Sequence, residues 1–100
     1  MKKEFKVISE LLPKNVKVLD VGCGDGALME LLIKEKNINV RGLELIEENV
    51  KQCIIKGLSV IEGNAETELN QFPSKSFDYV ILSQTLQAFL NPELVINELL

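Results

Sequence analysis

Gly22, Gly24 and Gly26 stand at alternate positions just after Asp20, with Cys23 and Asp25 between them. The stretch from Val18 reads Val-Leu-Asp-Val-Gly-Cys-Gly-Asp-Gly. A short apolar run (Val16, Val18, Leu19) leads into it, and an apolar helical pattern opens after it at Ala27, Leu28 and Met29. A strand, a tight glycine turn and a helix N-terminus let backbone N–H groups come close to a nucleotide-like ligand. A Cβ in the turn would forbid its dihedrals or hold the ligand away. Charge then narrows the chemistry. A dinucleotide loop reads G-x-G-x-x-G, whereas this one is G-x-G-x-G with the carboxylate of Asp20 two residues before it and that of Asp25 within it. Those carboxylates repel a pyrophosphate and attract a ligand with ammonium and sulfonium charges and no phosphate.

S-adenosylmethionine answers that description, and other positions suit it. Glu44 ends a second apolar segment (Ile38, Val40, Leu43), 24 residues after Asp20, and Leu45 follows it. A carboxylate there takes both ribose hydroxyls in a bidentate grip. Asn64 and Ala65 end a third segment. The Asn64 carbonyl oxygen accepts from the adenine amine, or Asn64 is an ordinary turn residue, with Glu66 as its substitute. Ser83, Gln84 and Thr85 follow a fourth segment, with Gln87 one helical step further. They either face a methyl acceptor or cap a short helix over Leu86, Ala88, Phe89 and Leu90. The candidate cofactor-binding set is Asp20, Gly22, Cys23, Gly24, Gly26, Glu44, Leu45, Asn64, Ala65 and Ser83. No catalytic residue and no metal site emerge. Methyl transfer from a sulfonium is an in-line displacement that needs mainly alignment. A base is required only if the acceptor must lose a proton, so a chain without histidine is not excluded from it.

The elements that must carry these residues follow in order. Phe5, Ile8, Leu11 and Leu12 share a helical face ended by Pro13. That helix is either a lid over the ligand or packing at the sheet edge. The first strand spans 16–20, and a helix over 26–36 carries Leu28, Leu31, Leu32 and Glu35 and stops at Asn37. The second strand reaches Glu44. A helix over 47–56 turns Val50, Cys53 and Ile54 inward, and Gly57 terminates it. Leu58, Val60 and Ile61 form a third strand that ends at Gly63-Asn64-Ala65-Glu66, and a loop containing Pro73 follows. Phe77 to Ser83 is an apolar, β-branched run of the buried parallel kind. Asn91-Pro92 opens a last helix. Strands and helices alternate, which predicts one α/β domain over residues 1–100 with a parallel sheet and right-handed crossovers.

Composition sets outer bounds. The 100 residues are 46% apolar and 26% charged, with a formal net charge of −4 and no basic run, which gives no electrostatic case for nucleic acid or an anionic membrane. No apolar run approaches a membrane span, and the N-terminus lacks a signal-peptide core. Cys23 and Cys53 lie 30 residues apart in no zinc or redox spacing, so they are expected as free thiols in a cytoplasmic protein.

The glycine stretch resembles motif I of the class I methyltransferases. Together with Gly42-Leu43-Glu44, Asn49-Val50, Cys53, Gly57 and the block Phe77-Asp78-Tyr79-Val80-Ile81-Leu82-Ser83-Gln84-Thr85-Leu86-Gln87, it resembles the methionine biosynthesis protein MetW family over residues 14–100. The Ser-Gln-Thr-Leu-Gln block is the specific part. Asn64 departs from the aspartate more usual at that position. The resemblance implies a Rossmann-like class I methyltransferase fold that binds S-adenosylmethionine or S-adenosylhomocysteine. It also implies a place in methionine biosynthesis and a link to homoserine O-acyltransferase. It implies further strands as well, so the chain reads as truncated after the fourth strand and its helix. A fourth strand with an open apolar edge would pair with a second copy. Two functions follow from these expectations: a small-molecule methyltransferase, or a non-catalytic S-adenosylmethionine-binding regulator of the acyltransferase. A third, a nicotinamide-binding (NAD) protein, is disfavoured by the loop spacing and by Asp20.

Overall fold

The computed structural model describes residues 3–68 and 76–82 of the chain. The elements are α1 (Lys3–Leu11), β1 (Lys17–Val21), α2 (Ala27–Lys36), β2 (Asn39–Glu44), α3 (Glu47–Ile55), β3 (Val60–Glu62), α4 (Ala65–Glu68) and β4 (Tyr79–Leu82). All recorded pairings are parallel, and the strand order is β3-β2-β1-β4. The α/β alternation expected above is therefore present, and the sheet reverses direction of growth at β1. Asp20 lies level with Gly42 of β2 and Ile81 of β4, one position inside the strand, because β1 runs to Val21.

Side-chain alternation along each strand divides the core in two. Val18, Val40 and Ile81 face one way and join Phe5 of α1, Leu28, Leu31 and Leu32 of α2, and Cys53 of α3 in a single cluster. Leu19, Val21, Leu43 and Val80 form the second cluster, with Ile61, Phe77 and Leu82 packed beside them. Each of the larger aliphatic side chains contributes about 1.5–3 kcal/mol by leaving water. Residues of α1, α2 and α3 thus share one layer, as expected when two successive crossovers build the sheet in the same direction.

The helices differ from the sequence expectation in detail. The inner face of α1 runs through Phe5, Ser9 and Leu12, and Leu11 is exposed. Four-residue spacing places Ser9 beneath Phe5, and Leu11 turns about 100° away from Leu12. The main partner of α1 is α2, so its apolar face serves packing and not a lid. In α3, Val50 and Cys53 point inward and Ile54 is exposed, again by one step of helical rotation. The expected stops hold. Asn37 ends α2 with φ 51°, and Gly57 follows α3 with φ 78°. Leu58 N–H donates to the Cys53 carbonyl at 2.9 Å and Gly57 N–H to the Ile54 carbonyl at 2.9 Å, the paired bonds of a Schellman motif. Where the third strand was expected to end over 63–66 and pass into a loop, β3 ends at Glu62 and the backbone turns helically through α4, with Thr67 and Glu68 N–H donating to the Asn64 carbonyl.

β4 is fastened at its start as well as along its length. Asp78 accepts from Lys17 N–H at 2.9 Å, and its own N–H donates to the Lys17 carbonyl at 2.8 Å. This aspartate sets the register of the outer strand against β1. Among the described residues, no helix is long and apolar enough to cross a membrane.

Candidate functional site

The carboxyl ends of β1 and β2 meet at the glycine loop. Gly22 N–H and Cys23 N–H donate to the Leu43 carbonyl at 2.7 and 3.3 Å, and Gly26 N–H closes the turn on the Cys23 carbonyl at 3.1 Å. Gly22, Gly24 and Gly26 have φ of 73°, 60° and 91°, values that L side chains rarely adopt. At Gly26 space is lacking as well, because a Cβ would run into Leu58 Cδ1 and sit 3.2 Å from Cys53 Sγ. The loop therefore needs glycine twice over, for its dihedrals and for its contact with α3.

Glu44 is the centre of the arrangement. Its side chain is 94% buried relative to the free residue (6% exposed), and Oε1 accepts from Gly24 N–H at 2.8 Å. Oε2 accepts from Ile46 N–H at 3.1 Å and from Asn49 Nδ2 at 3.3 Å. The positive end of the α3 dipole lies on the same side and suits an anion. An ionised carboxylate offers about four acceptor positions, and three of those on Glu44 are taken by the protein. Leu45 and Ile46, directly after it, are 64% and 58% exposed, an apolar surface at the mouth of the loop.

Other candidates take less direct positions. Asp20 is fully buried within the sheet, and Asp25 is exposed. Asp25 accepts from Ala27 N–H at 3.1 Å, which caps the start of α2. Lys56 donates to the Asp25 carbonyl at 3.0 Å and lies 3.9 Å from its carboxylate and 3.3 Å from Glu30. That lysine ties the loop to the end of α3, and nothing in the sequence pattern singled it out. Cys23 turns its side chain into the core, leaving only its backbone to the loop surface. Its Sγ lies 3.9 Å from Cys53 Sγ, and both thiols are directed at the Gly24 carbonyl. Burial first, then the neighbouring Cys53 and Asp20, pushes the Cys23 thiol far above its ordinary range. Asn64 is exposed at the start of α4, and Ala65 is the first residue of that helix. Ser83 lies outside the described residues, as do Gln84, Thr85, Gln87 and the helix expected from Asn91-Pro92.

The fit of an adenosyl sulfonium ligand can be judged from these residues. Glycine backbone without Cβ atoms, one open acceptor position on Glu44, and the exposed Leu45 and Ile46 supply a cradle, a hydroxyl partner and an apolar ring surface. The cation beside the loop, Lys56, is engaged by Asp25 and Glu30. The residues fit such a ligand and are poorly suited to a pyrophosphate.

The family described as methionine biosynthesis protein MetW matches residues 2–100. The bifunctional methionine biosynthesis protein MetXA/MetW of Rhodopirellula baltica is 34% identical over 101 residues, covering 93% of this chain and 16% of that protein. Among solved structures, a SAM-dependent methyltransferase from Archaeoglobus fulgidus superposes with a TM-score of 0.76 at 28% identity, covering 91% of this chain and 40% of that one. The plantazolicin methyltransferase BamL, solved with a desmethyl-plantazolicin analogue and SAH, gives 0.69 at 27% identity, covering 92% and 37%. The chain thus spans about a sixth of the curated relative's length and two fifths or less of these structures.

Proposed function

Since this chain belongs to the MetW family of methionine biosynthesis proteins and has a class I methyltransferase fold, we propose that it binds S-adenosylmethionine at the glycine loop and takes part in methyl transfer to a small molecule. The observation that carries the reading is the closure of the loop on Glu44, Gly24 N–H to Oε1 at 2.8 Å, at the carboxyl ends of β1 and β2. Ligands of open parallel sheets bind at those ends, beside the strand where the order reverses. That strand is β1.

When bound, S-adenosylmethionine supplies an electrophilic methyl group on a sulfonium. Glu44 holds a ribose hydroxyl through its open Oε1 position. Leu45 and Ile46 shield the adenine face from water. The loop backbone receives the amino-acid end of the ligand, with Asp20 adding negative charge from within the sheet. Asn64 and Ala65 stand at the end of β3 for the adenine edge, and Ser83 follows β4. The free thiols of Cys23 and Cys53 suit a reducing compartment such as the cytoplasm.

Calorimetric titration of the chain with S-adenosylmethionine and S-adenosylhomocysteine, with NADH as control, tests the reading. Saturable binding of the adenosyl ligands is expected, with Glu44→Ala weakening it by about tenfold or more, the loss of one bond to a charged acceptor. NADH binding in place of the sulfonium ligand would overturn it.

One observation favours a second reading. The Rhodopirellula baltica relative carries MetXA and MetW in one polypeptide. A MetW unit joined to a homoserine O-acyltransferase is placed to report the level of S-adenosylmethionine to it without transferring a methyl group. Acyltransferase activity that changes with this chain and ligand together, with no S-adenosylhomocysteine formed from cell extract, supports that regulator. Turnover without such a change supports the enzyme.

A further inference from the structure

The peptide that joins Asp25 to Gly26 is held at both ends. Its N–H donates to the Cys23 carbonyl at 3.1 Å, and its C=O accepts from Lys56 Nζ at 3.0 Å. With φ of 91° at Gly26 and no Cβ, this peptide would otherwise turn over at little cost. Lys56 reaches it from the C-cap of α3, where a cation suits the helix dipole. Its own backbone N–H is bound to the Gln52 carbonyl at 3.1 Å, so the stem starts from fixed ground. The same ammonium lies 3.3 Å from Glu30 of α2 and 3.9 Å from the Asp25 carboxylate, with its side chain 28% exposed. One cation thus pins the last peptide of the glycine loop and offsets two acids beside it.

We propose that Lys56 is a positioning residue that sets both the shape and the charge of the loop, and through them its preference between a sulfonium ligand and the uncharged thioether. This rests on the proposed binding of an adenosyl ligand. Lys56 acts through the loop backbone and through the field at its surface. S-adenosylmethionine and S-adenosylhomocysteine differ by one methyl group and one positive charge. A change in loop shape therefore moves their affinities together, whereas a change in field moves them apart. Without the ammonium, Asp25 and Glu30 stand uncompensated and the loop gains one negative charge, which favours the sulfonium. An arginine at 56 keeps the charge and a donor for the Asp25 carbonyl.

Two measurements on the full chain test the proposal, and the first needs no ligand. Amide hydrogen exchange at Gly26 should quicken by about tenfold in Lys56→Met, as the peptide is freed at its carbonyl end, and Lys56→Arg should restore most of the protection. An unchanged Gly26 amide in Lys56→Met overturns the positioning role. The second is calorimetric titration with S-adenosylmethionine and with S-adenosylhomocysteine, read as the ratio of their affinities. In Lys56→Met at low salt the ratio should move toward the sulfonium by about threefold. At about 1 M salt, where the Debye length is about 3 Å, that shift should fade. Glu30→Gln, which leaves the peptide held, should move the ratio the other way. A ratio unchanged in both variants, or moved in the same direction by both, overturns the specificity role. If the wild-type chain binds neither ligand, the cofactor reading fails and the specificity role with it, while the Gly26 amide still decides whether Lys56 holds the loop.

Discussion

Cys23 and Cys53 sit 30 residues apart in the sequence and 3.9 Å apart in space, under the floor of the glycine loop. Both are raised above the ordinary thiol range, chiefly by burial. In the unfolded chain Cys23 ionises at its usual value, 9.0. Above that pH the unfolded state gains a thiolate that the folded state does not form. The stability tied to Cys23 is therefore complete below pH 9.0 and is lost as pH rises past it. Urea unfolding should show a fall of about 1 kcal/mol per pH unit beyond that point, with Cys23→Ala showing a shallower decline. Identical slopes in both chains would remove the thiol from the account. The carboxylates of this region were legible as types, since acids beside a glycine turn exclude phosphate. Their partners were not. Asp25 meets Lys56, 31 residues on, and Glu44 accepts from Gly24 N–H, 20 residues back, contacts that arise only when the strands and α3 come together around the loop.

Elements were readable where apolar spacing and a stop residue coincided, as at Asn37 and Gly57. Leu11 and Ile54 were misplaced because each adjoins a buried neighbour, and one residue of rotation decides which of two apolar side chains faces the core. The β1–α2 and α3–β3 junctions meet at Gly26, and the contrast between two glycines measures that contact. A Cβ at Gly57 would find nothing within 4 Å, whereas one at Gly26 would collide with Leu58 and press on Cys53. Both have positive φ. Gly57→Ala should cost about 1 kcal/mol, for the left-handed conformation alone. Gly26→Ala should cost that amount plus about 1–3 kcal/mol of overpacking. Denaturant midpoints of the two variants decide the matter, and equal losses would mean that α3 does not bear on the loop.

For the whole molecule, alternation of strands and helices was enough to foresee a parallel sheet, but the order β3-β2-β1-β4 depends on a partner choice that no local pattern encodes. β4 reaches back to β1, and the bond from Lys17 to Asp78 joins residues 61 apart. Every other recorded strand pair joins neighbours in sequence. Time enters here. Contacts between near segments form at a lower entropic cost than contacts across a long loop. The segment from β1 to β3, with α2 and α3, should condense first, and β4 should dock last on an edge already formed. Native-state hydrogen exchange should then release the amides of Val80 and Ile81 at a lower opening free energy than those of Leu19 and Leu43. A single common opening energy would refute the sequence of events. Gly22 to Gly26 and Glu44 all belong to the early segment. A growing chain would accordingly possess the loop and its carboxylate before the outer strand has been made.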